Sequence, residues 1–419
     1  MTSNEDTTVH ERNRLPRRQI LAGGSATLLT ALAGCLGSDG DGDNKSGPDE
    51  STPTPPPVAD TDSSPQIPEV SDPPEAVYRP AHMADMNHLG AVEAGPYMVS
   101  PMLSYPHSFW LVTGSKAERV RPQGPGVHLM FSVWDRQTGT VLPVDVGAQT
   151  QVRRDGEIVD TRSPWPMISQ TMGFHFGDNI SLAGPGTYTV EVQLNPITVR
   201  RTGEFANTFE TTQTATFEFE FDEELQEQLV NNITYFDKKQ WGKQEALEPM
   251  GGMSMGGDES TQGTYEGGSD MNDGGDGSKM DDDSGMEMGG GMMPYSSLPA
   301  ANSYPGQAVG EPTSGDASFV VRYLTDTAPV EDGYLFVSAR TPYNRVPLAD
   351  MALSVTGAVE GELVQTLDSN LGHHYGLAGS LAPGDTVELT VDSPPQVARH
   401  VGYETAFLEM ESMTVEVSE

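Results

Sequence analysis

Nine histidines and twenty methionines are the residues of this 419-residue chain best suited to soft or borderline metal chemistry. Two histidine motifs carry the most information. Residues 173–186 read GFHFGDNISLAGPG, and residues 372–385 read GHHYGLAGSLAPGD. Imidazole suits Fe, Zn and Cu(II), and a neighbouring thioether shifts the preference towards copper, especially Cu(I). A histidine flanked by glycines can equally close a turn by bonding backbone groups. Catalysis finds no support: there is no arguable Ser/His/Asp constellation, and no phosphate-cradling glycine loop follows a strand. The sequence therefore predicts a binding protein, not an enzyme.

The two motifs are in step over a long stretch. With His175 aligned on His374, an alternating strand starts thirteen residues on, at Tyr188 and at Val387. A proline follows at twenty-one, Pro196 and Pro395, and a glycine at twenty-eight, Gly203 and Gly402. Upstream, VLPVDV (141–146) faces VPLADM (346–351). This is an internal duplication. It makes His374 the counterpart of His175 and leaves His373 as an extra, turned to the other face of an extended segment. His400 falls at the spacing that Arg201 fills in the first copy.

The elements that must position these residues read as strands. VHLMFSVW (127–134) puts Val127, Leu129, Phe131 and Val133 on one face and His128 on the outward phase. TYTVEVQL (187–194) and ATFEFEF (215–221) alternate in the same way, as do MALSV (351–355), TVELTV (386–391) and MTVEV (413–417). Short alternating strands between Gly/Pro turns predict an all-β chain of two Ig-like antiparallel β-sandwiches, over 76–221 and 316–419. One amphipathic helix follows the first, with Leu225, Leu229, Ile233 and Phe236 on one face, inside a segment 222–249 that leads out of the domain.

Two polar stretches predict disordered linkers: an acidic Pro/Thr/Ser stalk over 36–75 and a Met/Gly/Asp-rich tether over 250–315. Met253, Met255, Met286, Met288, Met292 and Met293 in that tether are secondary candidates for soft-metal capture, since thioethers favour Cu(I) and Ag(I). The alternative is a linker of biased composition. His82 and His88, in HMADMNHLG, could form a loose Met/His site or lie in a solvated loop.

The stretch PMISQTMGFHFGDNISLAGPGTYTVEVQLNP (166–196) is similar to the periplasmic iron-transport protein family. These are small Ig-like proteins that bind copper and iron and act beside a high-affinity iron permease. The resemblance covers roughly residues 91–221, and 317–419 more weakly. It implies metal ligation by Met167 and His175, with one extra residue between them, and by His107 in YPHSFW. Phe109 stands where the family has a glutamate, and Arg201 where a later histidine would fall. The second copy offers His374 and His400. The function implied is binding of copper or iron in support of metal uptake or extracytoplasmic buffering. The alternative is a non-catalytic envelope interaction module with a degenerate metal site.

Charge and the N-terminus set the location. The formal net charge is −38. Self-repulsion on that scale becomes tolerable where the Debye length falls to about 3 Å, near 1 M salt. The composition points to an extremely halophilic, archaeal source and excludes nucleic acid as a partner. Arg17-Arg18 before a short apolar run resembles a twin-arginine export signal, and LAGC ending at Cys35 resembles a lipobox. Residues 1–35 are thus read as a signal, with lipidation of Cys35 anchoring the exported chain to the outer face of the cell membrane. Asn179 and Asn232 lie in glycosylation sequons.

Overall fold

The computed structural model describes residues 67–250, 293–330 and 333–418. The signal, Cys35 and the tether methionines Met253, Met255, Met286, Met288 and Met292 lie outside the described residues. The described residues are β-rich, and both repeats fall within one compact unit.

In the first repeat one sheet runs Tyr97–Ser104, Gly126–Asp135, Gly173–Ser181, Trp165–Ser169, all antiparallel. The facing sheet runs Gln213–Phe221, Gly186–Leu194, Gln149–Arg154, Glu157–Arg162. Alternation does what the sequence implies: Phe217, Phe219 and Phe221 are buried, while Glu218 and Glu220 are exposed. They meet Tyr97, Leu129, Phe131 and Phe176 from the opposite sheet in one continuous core. Each such phenyl ring taken from water contributes on the order of 1.5–3 kcal/mol.

The second repeat copies the pairing. Met167 stands opposite His175 in the first, and Thr366 opposite His374 in the second. Gly177 faces Met130, as Gly376 faces Phe336. Asn179 faces His128, so the residue at the place of His128 in the second repeat is Tyr334, opposite Ala378.

The repeats are joined by a reciprocal exchange of short strands. Ala398–Arg399 of the second repeat runs parallel to Trp165–Ser169 of the first, pairing Ala398 with Met167 and Arg399 with Ile168. Arg200–Thr202 of the first repeat runs parallel to Gly361–Asp368 of the second. Arg399 is fully buried, and its guanidinium donates to the carbonyls of Pro395, Tyr403, Ala406 and Phe407. That clamp fixes the segment carrying His400, whose N–H donates to Ile168 O at 3.1 Å.

Three expected boundaries move. Folded chain starts by residue 67, not 76: Ile67 packs on the core, and Glu69 pairs with Arg119. The linker expected to run to 315 ends by 293. Tyr295 donates to Gln170 O at 2.9 Å, Ser296 Oγ accepts from Phe174 N at 2.7 Å, and Gln307–Gly310 is already a strand. Both segments are polar by composition but find backbone partners on the sandwiches. The helix, Glu223–Asn231, is shorter than its apolar period suggests. It begins at an Asp222 cap and stops at Asn231-Asn232. The β-branched pair Ile233-Thr234 then enters a strand, Ile233–Tyr235, against His82–Ala84.

Candidate metal centre

Four imidazoles meet where the exchanged strand crosses the first repeat. His107 precedes the strand Phe109–Thr113, His128 lies on Gly126–Asp135, and His175 lies on Gly173–Ser181. His400 arrives from the second repeat. His107 Nε2 is 3.0 Å from His400 Nδ1, and His175 Nε2 is 3.0 Å from His400 Nε2. One ligand nitrogen from each of His107, His128 and His400 lies within 4.8 Å of the others. Met167 stands beside them. A Cβ built on Gly177 would come within 2.8 Å of Met167 Sδ and 3.1 Å of His128 Nε2, so that glycine leaves room for both donors.

The outer hydrogen bonds fix the tautomers. His107 Nδ1 lies 2.9 Å from Tyr105 O, and His175 Nδ1 lies 3.1 Å from Gly173 O. A carbonyl only accepts, so each Nδ1 carries the proton and each Nε2 a lone pair. His128 Nδ1 donates to Asn179 Oδ1 at 3.1 Å, and Asn179 Nδ2 donates to His107 O at 2.9 Å, which sets the amide the right way round. His128 Nε2 is buried with no hydrogen-bond partner among the described residues. Three Nε2 lone pairs therefore face inwards.

His400, when neutral, has one proton for two such neighbours. One nitrogen–nitrogen contact at 3.0 Å is then lone pair against lone pair. Desolvation keeps the whole group neutral, pushing His107 and His175 down to about 4 and His128 and His400 well below their ordinary value. A cation at the centre relieves that repulsion. Two nitrogens bound tetrahedrally at 2.0–2.1 Å stand about 3.3 Å apart, close to what is observed. The donor set holds no carboxylate: Phe109 packs with Met167 and Ala398, its ring 5.8 Å from that of His128. Imidazole and thioether without carboxylate suit copper best among the first-row metals.

Asn179 is tied down from both ends of its amide, so it holds the centre in place instead of presenting a free sequon. Outer partners that orient metal-binding histidines are worth about 10–100-fold in affinity. Asn179→Ala is expected to weaken metal binding by about that factor, read by competition against a chromogenic chelator.

Of the expected residues, His107, Met167, His175 and His400 come together, and His374 does not join them. His374 Nδ1 donates to Gly372 O at 3.0 Å, and its Nε2 is 3.1 Å from Tyr334 Oη. Arg200 donates to Tyr334 Oη and, at 2.7 Å, to Thr366 Oγ1. The second repeat thus has tyrosine for His128, threonine for Met167 and an arginine across the exchanged strand. A guanidinium is a permanent cation and repels another. Spacing singled out Arg201, but Arg201 turns away to Thr208 O at 2.6 Å, and Arg200 faces the cluster.

His373 is buried on the other face, with its Nε2 3.0 Å from the Gln365 amide and its Nδ1 unpartnered among the described residues. Desolvation pushes His373 to about 3 and His374 to about 4, from 6.5. Below pH 6.5 the unfolded chain binds more protons than the folded one. Their contribution to stability is whole above that pH and is lost as pH falls towards 4. Metal-free protein in high salt is expected to melt at steadily lower temperature over that range, and His373→Asn to flatten the dependence, as read by thermal scans across pH.

His128 is the residue the sequence reading misplaced. It is fully buried beneath His107 and Phe109 of its own repeat and His400 of the second. The available signal was the outward phase itself: His128, Met130, Ser132 and Trp134 include no charged residue, unlike Glu218 and Glu220.

The two repeats match different family models. Residues 143–225, which include Met167 and His175, match the model of the Fe2+ transport protein family, and residues 302–416 match a domain of unknown function. No curated protein matches. Solved structures that match include a copper-bound variant of FetP from uropathogenic Escherichia coli strain F11, 16% identical, covering 33% of this chain and 97% of that one at a TM-score of 0.25. FetP of the same strain in its as-isolated form matches at the same identity and TM-score, covering 33% and 96%. The family whose motifs the first repeat resembles is therefore the family that residues 143–225 match.

Proposed function

We propose that this protein is an exported, non-catalytic metal-binding protein that holds one copper or iron ion between His107, His128, Met167, His175 and His400. It would serve metal uptake or buffering outside the cytoplasmic membrane. The observation that carries this reading is the inward turn of three Nε2 lone pairs, each set by an Nδ1–H donated outwards. The matching FetP variant is copper-bound and the matching family is one of Fe2+ transport proteins; both metals fit a donor set of imidazole and thioether. Lipidation at Cys35 would keep the protein at the outer face of the membrane, beside an iron permease as the supposed recipient. Metal analysis of protein purified in high salt tests the reading: one equivalent of copper or iron per chain is expected. A metal-free protein that also takes up neither ion on titration would overturn it.

A further inference from the structure

A second group of soft donors lies next to the histidines. Met86, Met102, Met130 and Met172 form a buried cluster, and Met250 and Met293 pack against it from the outside. Every apolar member of this cluster is methionine. The main core is filled mostly by Val, Leu, Ile, Phe, Tyr and Ala, with Met351 and Met413 as its buried methionines. Methionine is a good gap-filler, but a gap-filler is used singly among better-defined side chains.

The cluster also borders open space, which a filler would close. An inner cavity of about 70 Å3 is lined by Met83, Met86, Met130 and Met172 and reaches His107 and His400. Met83, Met86 and Met172 also line an outer cleft of about 700 Å3, whose rim carries Met250 and Met293. Thioethers thus line the way from solvent to the imidazoles. His82 borders the inner cavity, with Nε2 2.8 Å from Tyr105 Oη and a buried Nδ1 that has no partner among the described residues.

Size and chemistry select the occupant. A water molecule takes about 30 Å3, so the inner cavity has room for an ion with a water but not for an organic ligand. Neutral thioethers gain little from hard divalent cations and favour soft monovalent ones. We propose that this methionine-lined cavity is a second metal site, for a soft monovalent cation of the Cu(I)/Ag(I) class, distinct from the histidine centre and on its solvent side. The proposal does not depend on metal binding at the histidines.

The test uses the full chain with Ag(I) as probe, in nitrate medium because chloride sequesters silver. The histidine centre is disabled by His175→Ala and His400→Ala, and every methionine between 251 and 292 is replaced by serine. One Ag(I) per chain with sulfur neighbours in X-ray absorption is expected. Adding Met86→Leu, Met130→Leu and Met172→Leu should then lower Ag(I) affinity by roughly 10–100-fold or more. Leucine nearly conserves methionine volume, so the fold should survive. As a check that needs no cavity substitution, Ag(I) should shift the methyl resonances of Met86, Met130 and Met172 in methionine-labelled protein. Absence of a tight Ag(I), a nitrogen-only silver shell, or an affinity indifferent to the leucines would each overturn the proposal.

Discussion

Replacing His400 by alanine is expected to strip metal from a centre whose other ligands all belong to the first repeat. Among the described residues, His400 alone has both ring nitrogens directed at other imidazoles, to His107 at 3.0 Å and to His175 at 3.0 Å. Its loss opens the cluster on the side facing the second repeat and leaves His107 Nε2 and His175 Nε2 without their shared neighbour. Removing an outer partner of a ligand already costs about 10–100-fold, so loss of the ligand itself should cost at least about a hundredfold. His175→Ala should match it, although 225 positions separate the two residues. His374→Ala should leave the stoichiometry unchanged, because that ring bonds to Tyr334 and not to the cluster. Competition titrations of copper into the three variants separate these outcomes. Equal losses for His374→Ala and His400→Ala would refute the assignment.

The second large effect is a gain. Arg200 pairs with Thr366 as Ala398 pairs with Met167, and its guanidinium reaches Tyr334 and Thr366, which stand where His128 and Met167 stand in the first repeat. Replacing the guanidinium removes a fixed positive charge from beside Tyr334 and Thr366. Arg200→Ala alone should destabilise the chain by about 1–3 kcal/mol, through the polar groups it leaves unpaired. Tyr334→His and Thr366→Met place donors at the positions of His128 and Met167, and Arg200→His adds a third imidazole beside His374. The Cu(II) stoichiometry of that triple variant should be one ion higher than that of the parent chain, measured by metal analysis after desalting. A stoichiometry no higher than the parent's in a variant with an unchanged melting profile would show that matching donors do not make matching sites.

Much of the fold could be read locally. Alternation places Phe217, Phe219 and Phe221 inside, and strand phase aligns His175 with His374, because each strand carries its own binary pattern. His128 could not be read this way. Its phase says outward, and outward means solvent only until other segments, here those carrying His107, Phe109 and His400, cover the sheet. The same holds for His400, whose spacing to His374 suggested a partnership within its own repeat. It serves the other one, because Ala398–Arg399 pairs with the Met167 strand. Long-range strand exchange leaves no periodic mark. The histidine and methionine types were legible, and their grouping depended on topology. Residues 67–75 and 293–315 were misread for a related reason: polar composition reports what a segment cannot bury, not which backbone groups it can find.

The exchange of strands has a consequence for how the protein behaves on dilution. A centre that draws ligands from two separate molecules comes apart when the molecules part. Here both contributors are one molecule, so at a fixed free metal concentration loading should be independent of protein concentration. A pair of identical subunits must also place the same residue at both of its crossings. A fused pair is under no such obligation. The crossing at 398–400 can end in a histidine while the crossing at 200–202 carries arginines, so one can face the imidazole cluster while the other holds the molecule together.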